Sequence, residues 1–288
     1  MIKLGSVATF LAVARCGGFR EAAKNTGLSQ PAVTQHVKRL EQSLNVNLIA
    51  RNNAGSTLTP EGHVFLPYAE NMIRTYELAS TLFKKTSVVI GASSNTGIYL
   101  LQPYLKSYKD VSPHELDVII GANTAIADKL QNLEIDVAIM EWWDDRPGFV
   151  PTVWRREELV LIVPPNHPWA GMSNIPRDLL KGQQLLCGEA GSGTGRLLQQ
   201  YFGTDASTIG VSMQLGSTEA VKHAVQAGLG ISLVMAAAVT HEVRNGQLHA
   251  IPISGEPIQK ALYVVRRDGG GLHDGPAAQF ADFLLKSP

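Results

Sequence analysis

At 288 residues, with 44% hydrophobic and 17% charged side chains, the chain has the size and composition of a globular protein of two or three domains. Twenty-five basic side chains balance twenty-five acidic ones, which argues against a generally basic nucleic-acid binder, and two cysteines are too few for a disulfide framework or a zinc ligand set. No apolar run approaches the roughly 18 to 20 residues of a membrane span.

The charge is unevenly placed. Residues 1–60 carry Lys3, Arg15, Arg20, Lys24, Lys38, Arg39 and Arg51 against Glu21 and Glu41, seven to two, a net +5 that leaves the remainder acidic. Lys3 followed by Val7 to Ala14 and Cys16 faintly mimics a lipoprotein leader. Arg15, however, stands where cleavage needs a small residue. Leu4, Val7, Phe10, Leu11 and Ala14 at helical spacing predict instead a first core helix, in a protein of the reducing cytoplasm.

Phe19 to Leu44 predicts a helix, a tight turn and a second helix. Phe19, Ala22, Ala23 and Thr26 share one face, and Gly27 can take the positive φ that ends the first helix. Ser29 is placed to cap the second, with Gln30 and Pro31 in its first turn. Val33, Val37, Leu40 and Leu44 then form a buried stripe, which turns Thr34, Gln35, Lys38 and Arg39 outward. Such a pair either lays its second helix in a DNA major groove, where amides and hydroxyls reach base edges and Lys38 a phosphate, or is an ordinary helical hairpin with a solvated face.

Leu48 and Ile49, then Thr57 and Leu58, flank the polar residues Asn52 to Ser56 and predict a β-hairpin wing. Arg51 at its base is either solvated or available to DNA. Thr59 and Pro60 open a long helix on which Phe65, Ala69, Met72, Tyr76, Ala79 and Phe83 form a heptad seam. That seam meets either a second copy of the chain or its own domain. Pro67 should bend the helix, and Lys84 to Ser87 make a polar linker.

Beyond residue 87 strands alternate with helices, which predicts a parallel α/β sheet with binding at the strand C-termini. Val88 to Ile90 ends at Gly91, Val118 to Ile120 at Gly121, and Val137 to Met140 is a further buried strand. An internal repeat supports two similar lobes facing across a cleft. LLQPYL from Leu100 resembles LLQQYF from Leu197, and GANTAIADKLQNLEIDVAI from Gly121 parallels GSTEAVKHAVQAGLGISLV from Gly216. Leu159 to Val163 and Leu262 to Val265 are the expected crossovers between lobes. Gly269 to Gly271 leads to a last helix, Pro276 to Leu285, that returns to the first lobe.

Three helix starts should converge on the cleft: Ser93, Ser94 and Thr96; the Gly191 to Gly195 run with Ser192 and Thr194; and Gly216 to Thr218. A helix start supplies unpaired N–H groups, hydroxyls and a positive dipole end, all suited to a small anion, although each set can also be no more than a cap. Asn123 opens a further helix. Trp142 and Trp143 either wall the cleft or pack a contact between lobes. The Gly191 run is neither a phosphate loop nor a dinucleotide fingerprint, and no zinc-protease, serine-elbow or cysteine–histidine spacing appears, so no enzyme site, cofactor or metal is expected.

Taken together, Ala22 to Arg51, Leu58 to Gly62, Leu159 to Ala170, Gly188 to Leu198 and Gly216 to Val234 resemble the LysR-type transcriptional regulators, and the later segments look most like the branch regulating carbon fixation and sulfur metabolism. The resemblance implies a multidomain chain. Residues 1–59 would be a mainly α winged helix-turn-helix and 60–87 a dimerising linker helix. Residues 88–288 would be a two-lobed α/β effector domain like periplasmic binding proteins, lobe I about 88–160 plus 266–288 and lobe II about 164–262. The partners implied are double-stranded DNA, a small anionic metabolite, further copies of the chain in a homodimer or homotetramer, and RNA polymerase, with no membrane. Ile49 departs from the family's usual phenylalanine, and Gln35 and His36 depart from its frequent arginine and glutamine, so no operator sequence carries over. The competing reading is a solute-binding protein whose N-terminal segment only oligomerises.

Overall fold

The computed structural model describes residues 1–52, 55–81, 86–189, 197, 200–201, 209–268 and 275–287. Phe83, Ser192, Thr194 and the runs 191–195 and 269–271 singled out in the sequence lie outside these residues, as does the side chain of Arg51. The chain divides into two units, Met1–Lys85 and Thr86–Pro288.

In the first unit, α1 (Leu4–Cys16) and α2 (Phe19–Thr26) end on Gly17 and Gly27, both at φ 68°, where a Cβ would be strained. Helix α3 (Gln30–Leu44) starts on Ser29, whose hydroxyl accepts from Ala32 N at 3.3 Å, and stops on Asn45 in the left-handed region. The predicted stripe is buried as expected. Val33 and Val37 pack with Val13, Phe19, Ala22 and Ala23, while Leu40 packs with Val7, Phe10, Leu11 and Leu48. Strands β1 (Ile49–Asn52) and β2 (Gly55–Leu58) pair antiparallel as the wing, which Ser56 N ties to Gly17 O. Ile49 touches both apolar clusters, so the smaller residue at this position keeps the contact.

Thr59 then opens α4 (Pro60–Thr81). Its hydroxyl donates to Asn47 O and accepts from Gly62 N, and the helix continues through Pro67. The heptad seam divides here. Ala69 is fully buried and Phe65 and Met72 pack on α1, the Phe65 ring 5.5 Å from Phe10, so these three positions serve the chain's own core. Tyr76 and Ala79 are exposed.

The second unit is built on one long strand. In chain order its strands are β3 (Ser87–Ser93), β4 (Glu115–Gly121), β5 (Val137–Met140), β6 (Phe149–Val163), β7 (Gln184–Cys187), β8 (Gly210–Gln214), β9 (Ser232–Met235), β10 (His249–Ile251) and β11 (Gln259–Arg267). β3 lies parallel between β4 and β5, and β11 runs antiparallel between β5 and the first part of β6, residues 149–158. The last part of β6 pairs instead with β9 and β10, and β7 pairs parallel with β8 while bridging to Ile231 beside β9. Lobe I is thus β4-β3-β5-β11-β6 and lobe II β8-β7-β9-β6-β10. The outward crossover lies within β6, as expected. The return does not lie in Leu262 to Val265, because β11 pairs with lobe I strands over its full length, so the chain comes back before Gln259.

The period of two in a strand sorts the core. Leu159, Leu161 and Val163 of β6 join Val88, Ile90, Val137 and Ile139 of lobe I and Leu233, Met235 and Ile251 of lobe II in one apolar cluster that crosses both lobes. Val160 and Ile162 face the opposite way, onto lobe II's outer layer with Val221 and Val225 of α7 (Thr218–Gln226). On lobe I, β3 is followed by a π turn at Thr96–Leu100 and α5 (Gln102–Val111), and β4 by α6 (Asn123–Gln131). A short helix, α8 (Thr240–Arg244), follows β9. The last helix, α9 (Pro276–Lys286), returns to lobe I as expected, setting Phe280 edge-on and Phe283 tilted against Tyr108 of α5.

A Cβ on Gly62 would lie 2.2 Å from the Leu48 carbonyl oxygen, so backbone must move to admit it. Gly62→Ala should therefore destabilise the first unit by about 1–3 kcal/mol, measured by urea denaturation.

Candidate functional site

Two surfaces carry the chemistry, one in each unit. In the first, Pro31, Gln35 and Lys38 lie along one exposed stripe of α3 with Arg39 beside it. Ser29 and Gln30 sit exposed at its N-terminus, and Thr34 is half-buried. His36 is turned inward, its Nδ1 3.0 Å from the Thr9 hydroxyl. That hydroxyl already donates to Gly5 O at 2.7 Å, so the imidazole is the donor to Thr9 and braces α3 on α1 rather than facing solvent. Glu41 holds the wing's approach by accepting from Leu48 N and Ile49 N.

The second surface is the cleft between lobes, where a cavity of about 50 Å³ is lined by Asn95, Asn123, Glu141 and Trp142 with Lys260 from β11. Lobe II contributes Cys187, Gly188, Glu189, Thr218 and Ser232. Its centre is a buried ion pair: Lys260 Nζ donates to Glu141 Oε2 at 2.8 Å, with 3% and 6% of the two side chains exposed. Asn95 adds its backbone N–H and its Nδ2, both 3.2 Å from the same carboxylate. Burial alone would push the Glu141 carboxyl up, but Lys260 and the Asn95 donors outweigh it and hold the group below the usual carboxylate range. Asn123 fixes the backbone behind the pair, accepting from Glu141 N at 2.9 Å and donating to Trp142 O at 3.0 Å.

Among the described residues, three side-chain hydrogen bonds tie the lobes together across the cleft. Ser94 donates to Glu189 at 2.5 Å, Thr218 to Asn95 Oδ1 at 2.6 Å and Tyr99 to Glu219 at 2.7 Å. Burial, then the bond to Glu219, push the Tyr99 phenol far up and keep it a donor. Lys222 stands 5.1 Å over the Tyr99 ring, paired with both Glu219 and Glu242. Cys187 is a neutral thiol, since burial raises its pKa.

The predicted residues therefore divide. Ser94, Asn123, Trp142 and Thr218 come together at the cleft. Ser93 and Thr96 do not. Both are wholly buried and bonded to each other at 3.0 Å, because β3 continues to Ser93 rather than stopping at Gly91 and its alternation turns that side chain inward. Trp143 packs in lobe I's core, 5.5 Å from the Phe149 ring. Glu141, Lys260, Glu189 and Tyr99 were missed, although a glutamate directly after the wholly buried strand Val137–Met140 was a signal in plain view.

The family model described as "LysR substrate binding domain" matches residues 84–287, and that described as "Bacterial regulatory helix-turn-helix protein, lysR family" matches residues 4–63. PtxE of Stutzerimonas stutzeri is 39% identical over 188 residues, spanning 65% of this chain and 96% of the relative. A probable RuBisCO transcriptional regulator of Nostoc sp. is 30% identical over 272 residues, 88% of this chain and 79% of the relative. Among solved structures, CbnR complexed with its target DNA superposes with a TM-score of 0.59 at 19% identity, over 98% of each chain. The oxidised form of OxyR from Corynebacterium glutamicum gives 0.57 at 24%, covering 99% of this chain and 92% of the other.

Lys260→Met strands a buried carboxylate and should cost about 3–5 kcal/mol in denaturant titrations, most of it recovered by adding Glu141→Gln. Because the folded Glu141 value is depressed, the native pair contributes fully above the unfolded carboxyl value of about 4.3, and that stability is lost as pH falls through the folded value. In Lys260→Met the sign reverses, since the unpaired buried carboxylate favours its proton. Acidifying that variant from about pH 7 to 5 should restore stability in thermal melts.

Proposed function

Because the chain belongs to the LysR family of ligand-responsive transcriptional regulators, we propose that residues 1–59 read an operator, that residues 60–87 dimerise, and that residues 88–288 sense a small metabolite in the cleft. The observation that carries the reading is the exposed polar stripe of α3 on a segment of net +5, in a chain whose total charge is zero. Ser29, Gln30, Pro31, Thr34 and Gln35 meet bases and sugar–phosphate edges, Lys38 and the wing's Arg51 meet phosphates, and the protein works in the cytoplasm beside its DNA, with RNA polymerase as the downstream partner. The rival reading, a solute-binding protein with an oligomerisation module, is set aside by the helix-turn-helix match over residues 4–63.

Self-association is assigned to the part of α4 that the core leaves uncovered. Leu4, Tyr68, Met72, Thr75, Tyr76 and Ala79 line an open groove of about 500 Å³, and the side chains of Tyr68 and Tyr76 stand more than half exposed. An apolar strip of this kind on a helix is suited to a second copy of the same helix. Met72, Tyr76 and Ala79 of the predicted seam belong to it, and Tyr68 takes the place of Ala69.

In the cleft, the effector is a small oxyanion. Support comes from the start of α7, capped by Ser217 with Thr218 at its first position, where Thr218 lines the cavity and donates across it to Asn95. Its binding changes the lobes' relation, and through the dimer the spacing or angle at which the reading helices meet DNA.

Gln35→Ala should change sequence preference, whereas Lys38→Ala should weaken binding to all sequences and lower the salt slope by about 1. Gel-shift titrations at several salt concentrations measure both, and unaltered operator binding in the two variants would remove α3 as the reading helix. Tyr76→Glu should lower the mass seen by analytical ultracentrifugation toward that of a monomer.

A further inference from the structure

The hydroxyl, amide and ammonium groups of the cleft already serve internal acceptors. Asn95 and Lys260 donate to Glu141, Thr218 to Asn95, Asn123 to Trp142 O, Ser232 to Leu186 O, and Ser94 to Glu189. The remaining space is small, about 50 Å³. Beyond the N–H groups at the start of α7, an oxyanion gains side-chain donors there by taking over ones that an internal acceptor now holds.

Two carboxylates are seated there, and they differ in how readily they leave. Glu141 is almost wholly buried, and removing it would strand the equally buried Lys260 while breaking two bonds from Asn95. Glu189 follows β7 directly in the loop, is half-buried, and has its bond to Ser94 as its one hydrogen bond among the described residues. Swung outward, it regains water and leaves the Ser94 hydroxyl without its acceptor, next to the cavity that Glu189 lines. Glu189 also belongs to lobe II and Ser94 to lobe I, so this exchange replaces a bond between lobes with a bond to ligand.

We infer that Glu189 is a built-in competitor, a carboxylate of the chain occupying the seat that lobe I offers to the effector's oxyanion. The inference rests on the oxyanion reading of the cleft. It adds a threshold: the apparent dissociation constant is the intrinsic one divided by the fraction of molecules in which Glu189 has left the seat. The same side chain selects against neutral ligands, which cannot replace a carboxylate at a charge-assisted hydrogen bond.

Isothermal titration of the full chain with inorganic phosphate and with sulfate, on wild type, Glu189→Gln, Glu189→Ala and Ser94→Ala, tests this. Unliganded melting temperatures report that each variant is folded. Glu189→Ala should bind the preferred anion about tenfold more tightly than wild type, the loss of a competitor seated in nine molecules of ten. Glu189→Gln should bind more tightly by a smaller factor, and Ser94→Ala more weakly. Binding detected only in the Glu189 variants also supports the competitor. Equal affinities in wild type and Glu189→Ala overturn it while leaving the oxyanion reading intact. Weaker binding in Glu189→Ala overturns it too, making Glu189 a ligand contact. If neither anion binds any of the four proteins, the oxyanion reading itself fails and the competitor with it.

Discussion

A strand has two edges, and each edge must find partners for its N–H and C=O groups. Strand β6 meets this demand twice over, with β11 along residues 149–158 and with β9 and β10 along residues 159–163. Everything in the effector unit follows from that one element. It fixes the two sheets relative to each other, its alternation feeds both the shared core and lobe II's outer layer, and its register with β11 sets Lys260 opposite Glu157. From there Lys260 reaches Glu141, which follows β5 on the other side of β11. The cleft's polar chemistry is placed by backbone pairing that has no polar side chain in it.

The division of the molecule follows the range of the forces. Helix α3 is specified by neighbours in sequence: a serine cap, a proline in the first turn, glycines at left-handed turns and a stripe at helical spacing. Such signals survive without any knowledge of the rest of the chain, and Val33, Val37 and Leu40 fall where the spacing puts them. The long helix was half legible. Its heptad showed that one face is apolar, but periodicity does not say which surface covers that face: Ala69 is buried and Phe65 packs against α1 of the same unit, while Met72 is only partly covered there.

The cleft was the least legible part, for two physical reasons. In Ser93 to Thr96 consecutive polar residues point in different directions, and extending β3 by two residues beyond Gly91 decides that Ser93 is core while Ser94 faces the other lobe. The ion pair joins residues 119 apart, and neither Glu141 nor Lys260 carries a local signature of its partner. Spacing could name the hydroxyls at helix starts, whereas only the tertiary fold shows that their bonds run to carboxylates.

The apolar cluster that passes through β6 without interruption limits how the two lobes can move. Prising them apart would wet that cluster at roughly 25 cal/mol for each Å² of apolar surface, whereas breaking the polar ties of Ser94, Asn95 and Tyr99 exposes groups that water can satisfy. The low-energy motion is a small torsion about the β6 axis. Mechanically the unit is a stiff shaft with two arms, which yields in angle more readily than in separation.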